Sequence, residues 1–413
     1  MTDRARAERL DASDPLASFR DRFAIDDPET IYLDGNSLGR LPVATRERLS
    51  ELTAQWGSEL VGGWHDWIDL PERVGDLLAS GVLGARPGEV IVTDSTTVNL
   101  FKLAGAVLDI PPGAIVTDSE NFPTDRYVLE GLARLHGREL RIFDADPLNG
   151  PQPEDVKRAC EPGGVALVSL SHVAYRSGAL ADMELIAQAA APAPVIWDLS
   201  HSAGAVPIEL EQRGVELAVG CTYKYLNAGP GAPAFLYVRR YLQERPRTPI
   251  QGWFGQRDQF QMERPYDPAP GVRGFLAGTP PILALAGVEE GAKLIAEAGI
   301  QKLRDKAAAL TELIVTIHDE RLAPLGFRLG TPRDPARRGG HVSLAHDEAW
   351  PICRALIERA KVIPDFRGPD SIRLGVPPLY TRFVDVHDAL DRLATLVERG
   401  DHREVDDRPL RVT

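Results

Sequence analysis

Two charged residues stand where buried strands should end. Asp198 closes the apolar run "PVIWDLS" (194–200), and Lys224 follows "LAVGCTY" (217–223), inside "CTYKYLNAGPG". A charge in such a place is costly unless it is solvated, paired, neutral or covalently used. His201 comes three residues after the acid, and Tyr223 and Tyr225 flank the lysine. A further polar group, Ser95, Thr96 and Thr97, opens a helical stretch in "TDSTTVNLFKL". Hydroxyls and free backbone N–H groups at a helix start make an anion site, although Ser/Thr N-caps are common and most are only caps.

In this order the residues suit pyridoxal 5′-phosphate. The hydroxyl-rich helix start would take the phosphate, Asp198 would keep the pyridine nitrogen protonated, and Lys224 would form a Schiff base with the aldehyde. The interval of twenty-six residues from Asp198 to Lys224 accommodates one helix and one strand of a βαβ unit. Lys224 alone reads as a snorkelling surface lysine. With Asp198, His201, Thr96 and Thr97 in sequence, it reads as the covalent lysine.

The elements that must position these groups are short apolar runs alternating with helical stretches. Strands are expected at 89–94, 114–119, 139–145, 165–171, 194–200, 217–223 and 233–240, with helices at 96–108 and 125–137. Near-continuous apolar strands predict a mainly parallel sheet covered on both faces, an α/β domain whose ligands sit at the C-terminal strand ends. After about residue 300 the texture changes to a smaller α+β unit. The expected organisation is an N-terminal segment, 1–60, packing with the small domain, a large cofactor-binding domain, 61–300, and a small domain, 301–413. The stretch "AQAAAPAP" (187–194) reads as a short linker.

Composition narrows the function classes. Among 413 residues, 47 basic against 60 acidic side chains leave a net charge of −13, which argues against nucleic-acid or anionic-membrane partners. Three scattered cysteines form neither a disulfide framework nor a CxxC metal site. The first residues lack an apolar signal region and no run is long enough to span a bilayer, so a cytoplasmic protein is expected. Gly35-Asn36-Ser37-Leu38-Gly39 fits the GxSxG pattern of a serine nucleophile, but it precedes the sheet and Pro42 follows at once. No phosphate-loop or dinucleotide fingerprint is present, and His65 with Asp66 and Asp69 lacks metal-ligand spacing.

The chain resembles the kynureninases, members of the aspartate-aminotransferase-like fold type I of pyridoxal-phosphate enzymes. The likeness runs through "YLDGNSLGRLP", "TDSTTVNLFK", "NFPTDRY", "WDLSHSAGAVP", "CTYKYLNAGPG", "GWFGQ", "GTPPI" and "IRLGVPPLY". It implies cleavage of L-kynurenine, and possibly its 3-hydroxy form, to the anthranilate and L-alanine, within tryptophan catabolism. It also implies a homodimer with shared active sites. By resemblance, Thr96, Thr97, Phe122, Asp125, Ser171, Asp198, His201, Tyr223, Lys224, Trp253 and Thr279 contact the cofactor, the last-named Thr279 and Trp253 from a second subunit. Tyr223 is the expected proton donor and Arg373 the expected receptor of the substrate carboxylate. Trp64 and His65 fall in the segment (59–75) where family members differ in seating the aromatic ring; Gly278 is a second departure. The rivals are another fold type I activity, such as a cysteine desulfurase or lyase, and a non-catalytic cofactor-binding homologue.

Overall fold

The structure, a computed structural model, describes residues 3–109, 112–244, 247–262 and 265–405. A first short strand, β1 (Ile31–Tyr32), lies near the N-terminus. The central sheet is built from β2 (Val90–Val92), β3 (Ala114–Asp118), β4 (Leu140–Phe143), β5 (Val165–Ser171), β6 (Val195–Asp198), β7 (Leu217–Gly220) and β8 (Phe235–Val238). Their order across the sheet is β2-β8-β7-β6-β5-β3-β4, and only β8 runs against the rest.

Side-chain alternation explains why these strands read as unbroken apolar runs. Val168, Leu170, Trp197 and Ala218 belong to the core on one face. Leu167, Ile196, Leu217 and Val219, their chain neighbours, belong to the core on the other. Successive residues of a strand point to opposite faces, so a sheet covered on both sides favours apolar residues on both alternations of each strand. Edge strand β4 is only partly covered.

Helices lie between the strands with sequence-encoded ends. Thr96–Leu108 is capped by Ser95, whose Oγ accepts from the Val98 N–H at 3.3 Å. Pro123–His136 starts on a proline and stops at Gly137, whose φ of 60° favours glycine. The "AQAAAPAP" stretch is not a linker. Its first half finishes the Met183–Ala190 helix, and its second half leads directly into β6.

A second sheet holds β9 (Arg328–Leu329), β10 (His341–Ala345), β12 (Asp365–Arg367) and β13 (Ser371–Gly375), in the antiparallel order β12-β13-β10-β9. Strand β11 (Val362–Ile363) pairs instead with β1, in parallel. Ala7, Ile31 and Leu33 share this region's apolar core with residues of the Ile300–Ile317, Ala349–Ala360 and Phe383–Arg399 helices. Leu16 and Phe23 join the core of the large sheet. No described helix is long and apolar enough to cross a membrane.

Candidate active site

The C-terminal ends of the parallel strands open into a cavity of about 510 Å³. Asp198 reaches it from the last position of β6, and Tyr223 and Lys224 from the turn after β7. His201 and Ser200 follow Asp198 in the chain and line the same wall, with Phe122 and Asp125 from the start of the Pro123–His136 helix. Lys224 Nζ lies 3.3 Å from His201 Nε2 and 3.5 Å from Nδ1. The same nitrogen is 5.8 Å from the centre of the Phe122 ring and 5.9 Å from that of Tyr223.

Burial sets the electrostatics. Asp125, Asp198, His201 and Lys224 are all at most 9% exposed. Loss of water raises the Asp198 carboxyl above its ordinary range, opposed by the Ser200 groups and the Lys224 charge. Asp125 is raised much further, first by burial and then by the Asp198 charge beside it. Like charges this close favour one shared proton, and Asp125 is the acid that keeps it. The backbone N–H of Ser200 donates to Asp198 Oδ1 at 2.8 Å and fixes the ionised member. Burial, then the neighbouring Lys224 charge, holds His201 well below its usual value, so its imidazole is neutral. Tyr223 is raised by burial and keeps its phenolic proton.

Another part of the lining is polar and uncharged apart from Asp94. Ser95, Thr96 and Thr97 line it where the Thr96–Leu108 helix begins, and the first N–H groups of a helix have no intrahelical partner. Gly231–Ala234 and Gly278–Pro281 close it, so Thr279 reaches the cavity of its own chain. A lysine beside a strand-end acid, an aromatic face and a helix start rich in donors form a donor set that fits pyridoxal phosphate.

Several expected residues stand elsewhere. Ser171 is the register partner of Asp198 across β5 and β6, but its Oγ donates to Asn121 Oδ1 at 2.7 Å. Asn121 Oδ1 also accepts the Phe122 N–H at 2.9 Å, so Ser171 supports Phe122 from behind. Trp64 packs against Trp67 and Phe254 at 5.9 and 5.8 Å, and His65 is exposed. Trp253 is 38% exposed and packs on Phe254 and Phe260. None of these four lines the cavity, and neither does Arg373. The Arg373 guanidinium is buried against Asp365, with Nε 2.6 Å from Oδ2, and also contacts Tyr175 O and Ser37 Oγ.

The GxSxG pattern is not a nucleophile turn. Ser37 follows a two-residue strand outside the main sheet, the next helix after it begins only at Val43, and its hydroxyl accepts from Arg373 at 3.2 Å. The loop instead lies against the lysine turn. The Gly39 N–H donates to Tyr223 O at 2.8 Å, and a Cβ on Gly39 would fall 2.4 Å from Lys224 O. Only glycine permits that approach.

Sequence reasoning missed Asp94, Thr93, Thr124 and Ser200 on the lining. All four sit within two residues of positions it had selected, so the strand-end rule could have found them.

The architecture is that of fold type I pyridoxal-phosphate enzymes. Solved structures that superimpose include an apo cysteine desulfurase from Thermococcus onnurineus NA1, with TM-score 0.75 and 19% identity over 95% of this chain and 98% of that one. Another is the cystine C–S lyase C-DES in complex with cysteine persulfide, with TM-score 0.77 and 19% identity over 90% and 98%. At that identity the likeness establishes the fold. Sequence comparison goes further. The chain is 44% identical to a kynureninase from Pseudomonas fluorescens over 97% of its length and 96% of the relative's. It is 41% identical to one from Burkholderia pseudomallei (strain K96243), over 96% of both. Residues 303–393 match the kynureninase C-terminal domain model. The chain belongs to the kynureninase family.

Proposed function

We propose that this chain binds pyridoxal 5′-phosphate in the strand-end cavity and hydrolyses L-kynurenine to anthranilate and L-alanine. The observation that carries the reading is the convergence of Lys224, Asp198, neutral His201 and Phe122 on one buried cavity, together with a donor-rich helix start. Ser95–Thr97 and Thr279 would hold the phosphate, Phe122 would stack on the ring, and Asp198 would accept from its nitrogen. When bound, the cofactor supplies the aldehyde and the electron-withdrawing ring that make the substrate Cα proton acidic.

Lys224 Nζ would anchor the cofactor through its aldehyde, and as a free amine would be the base that takes the substrate Cα proton. His201, neutral and in contact with Nζ, places no second cation beside that nitrogen. Water adds to the γ-carbonyl, the Cβ–Cγ bond breaks, and the carbon that becomes the methyl of alanine must then be protonated. Tyr223, with its phenolic proton retained at the cavity wall, is the donor.

Arg373 is proposed to receive the substrate carboxylate at Nη1 and Nη2 in exchange for Tyr175 O and Ser37 Oγ, with Asp365 holding the Nε edge of the guanidinium. Arg373→Ala should raise KM for L-kynurenine about tenfold or more while cofactor is retained. Asp365, itself fully buried, would lose the Arg373 pairing and keep Arg367 at 3.3 Å, so the single variant also loses stability, by about 3 kcal/mol or less. Asp365→Asn alongside should restore folding and leave KM high. A double variant with ordinary KM would remove Arg373 from substrate binding.

A second copy of the chain is proposed to cover an apolar belt formed by Trp56, Leu60, Val61, Trp253 and Phe260, all at least 38% exposed. That would bring Trp253, and the segment holding Trp64 and His65, towards a shared site. Three unpaired cysteines support a reducing, cytoplasmic setting. The desulfurase rival needs a reactive thiol in a mobile loop. Cys353 is buried in a helix with its thiol pushed up to about 12, and burial also raises Cys160 and Cys221.

A further inference from the structure

Asp94 is an unexpected residue to find at a phosphate cradle. It lines the cavity beside Ser95–Thr97 and is 30% exposed, so its carboxylate faces the region proposed for a dianion. Its backbone adopts φ +45°, an uncommon conformation for a side-chain-bearing residue, and its carbonyl accepts the Ala234 N–H at 2.8 Å. The Thr93 hydroxyl donates to Oδ2 at 2.9 Å. Left uncompensated, this carboxylate would repel phosphate.

Lys102 answers it. It is the only lysine or arginine in the Thr96–Leu108 helix, "TTVNLFKLAGAVL", and its side chain is 0% exposed. Nζ donates to Asp94 Oδ2 and to Phe275 O, each at 2.5 Å. Phe275 ends the Gly271–Phe275 turn, which leads within four residues to Thr279 on the cavity wall. One buried ammonium therefore joins the two walls of the cradle and neutralises the single acid between them. A buried cation held by two acceptors carries a desolvation cost that a methionine of similar length would not, so the charge is what distinguishes lysine at this position.

We propose that Lys102 is a positioning residue for the cofactor phosphate, cancelling the Asp94 charge and holding the helix start against the Thr279 segment. This rests on the cofactor reading above. The chemistry it serves is selective: it matters for a ligand carrying a phosphate and is indifferent to the same ring without one.

The test compares the affinity of cofactor-stripped full-length protein for pyridoxal 5′-phosphate and for pyridoxal, followed by fluorescence quenching. Lys102→Met should weaken binding of the phosphorylated ligand about tenfold or more while changing pyridoxal by less than about twofold. Adding Asp94→Asn should bring the phosphorylated ligand back to within about threefold of wild type, because the repelling charge is gone. Equal loss for both ligands, or no recovery in the double variant, would leave Lys102 a purely structural residue and overturn the proposal. Should Lys102→Met fail to fold, Asp94→Asn alone decides, since it removes the charge and keeps the lysine. It should bind the phosphorylated ligand at least as tightly as wild type, and loosening beyond about threefold would overturn the proposal. Wild-type protein that takes up neither ligand would reject the cofactor reading itself, and this proposal with it.

Discussion

Lys224→Ala should abolish turnover of L-kynurenine while the chain folds and still takes up pyridoxal phosphate non-covalently. The expected loss in kcat is about 10³-fold or more, because one substitution removes both the covalent anchor and the base. Folding should survive. Lys224 is 9% exposed in the turn after β7, and among the described residues its Nζ lies against the His201 ring and, at longer range, two aromatic faces. Its removal takes a cation away from Asp125 and Asp198, so both carboxyls rise further above their ordinary range. Borohydride followed by mass measurement should show permanent attachment of the cofactor in wild type and none in the variant. Activity near that of wild type would rule out Lys224 in both roles.

The second large effect is expected at Asp198. Asp198→Ala should weaken cofactor binding and lower kcat together, by about 10²-fold or more for the rate, since the carboxylate is the charge that keeps the ring nitrogen protonated. The neighbouring acid shapes the outcome. Asp125 keeps its proton partly because Asp198 is charged beside it, so removing Asp198 lowers Asp125 towards ionisation. Asp125 can then supply part of the missing charge, and Asp198→Ala/Asp125→Asn should be worse than either single variant. The cofactor absorption band and kcat, measured across pH, report both points. An unchanged spectrum and rate in Asp198→Ala would exclude its pairing with the ring.

Where the sequence was legible, a strong physical constraint acted on every residue of a segment. "VALVSLS" had to be largely apolar because both faces of β5 are covered, and its limits were found to the residue. Ser95 was recognisable because a helix start must satisfy free N–H groups. The reversed direction of β8 was not readable, since Phe235–Val238 is buried on both faces and looks like its parallel neighbours. Whether Ser171 meets the cavity or stands behind Phe122 depends on the Asn121 side chain, fifty residues away in the chain. The Asp365 partner of Arg373 lies on the adjacent strand β12, and no spacing rule distinguishes it from a substrate carboxylate. Lys102 did leave a signal, a single cation in an apolar helix, and that signal means little until Asp94 and Phe275 are seen around it.

The most direct test of the central claim is anthranilate fluorescence released from purified protein given L-kynurenine, with and without added pyridoxal phosphate. Prompt release that depends on the cofactor is the expected result. A yellow, borohydride-reducible protein that releases none would keep the fold and the lysine but contradict the substrate.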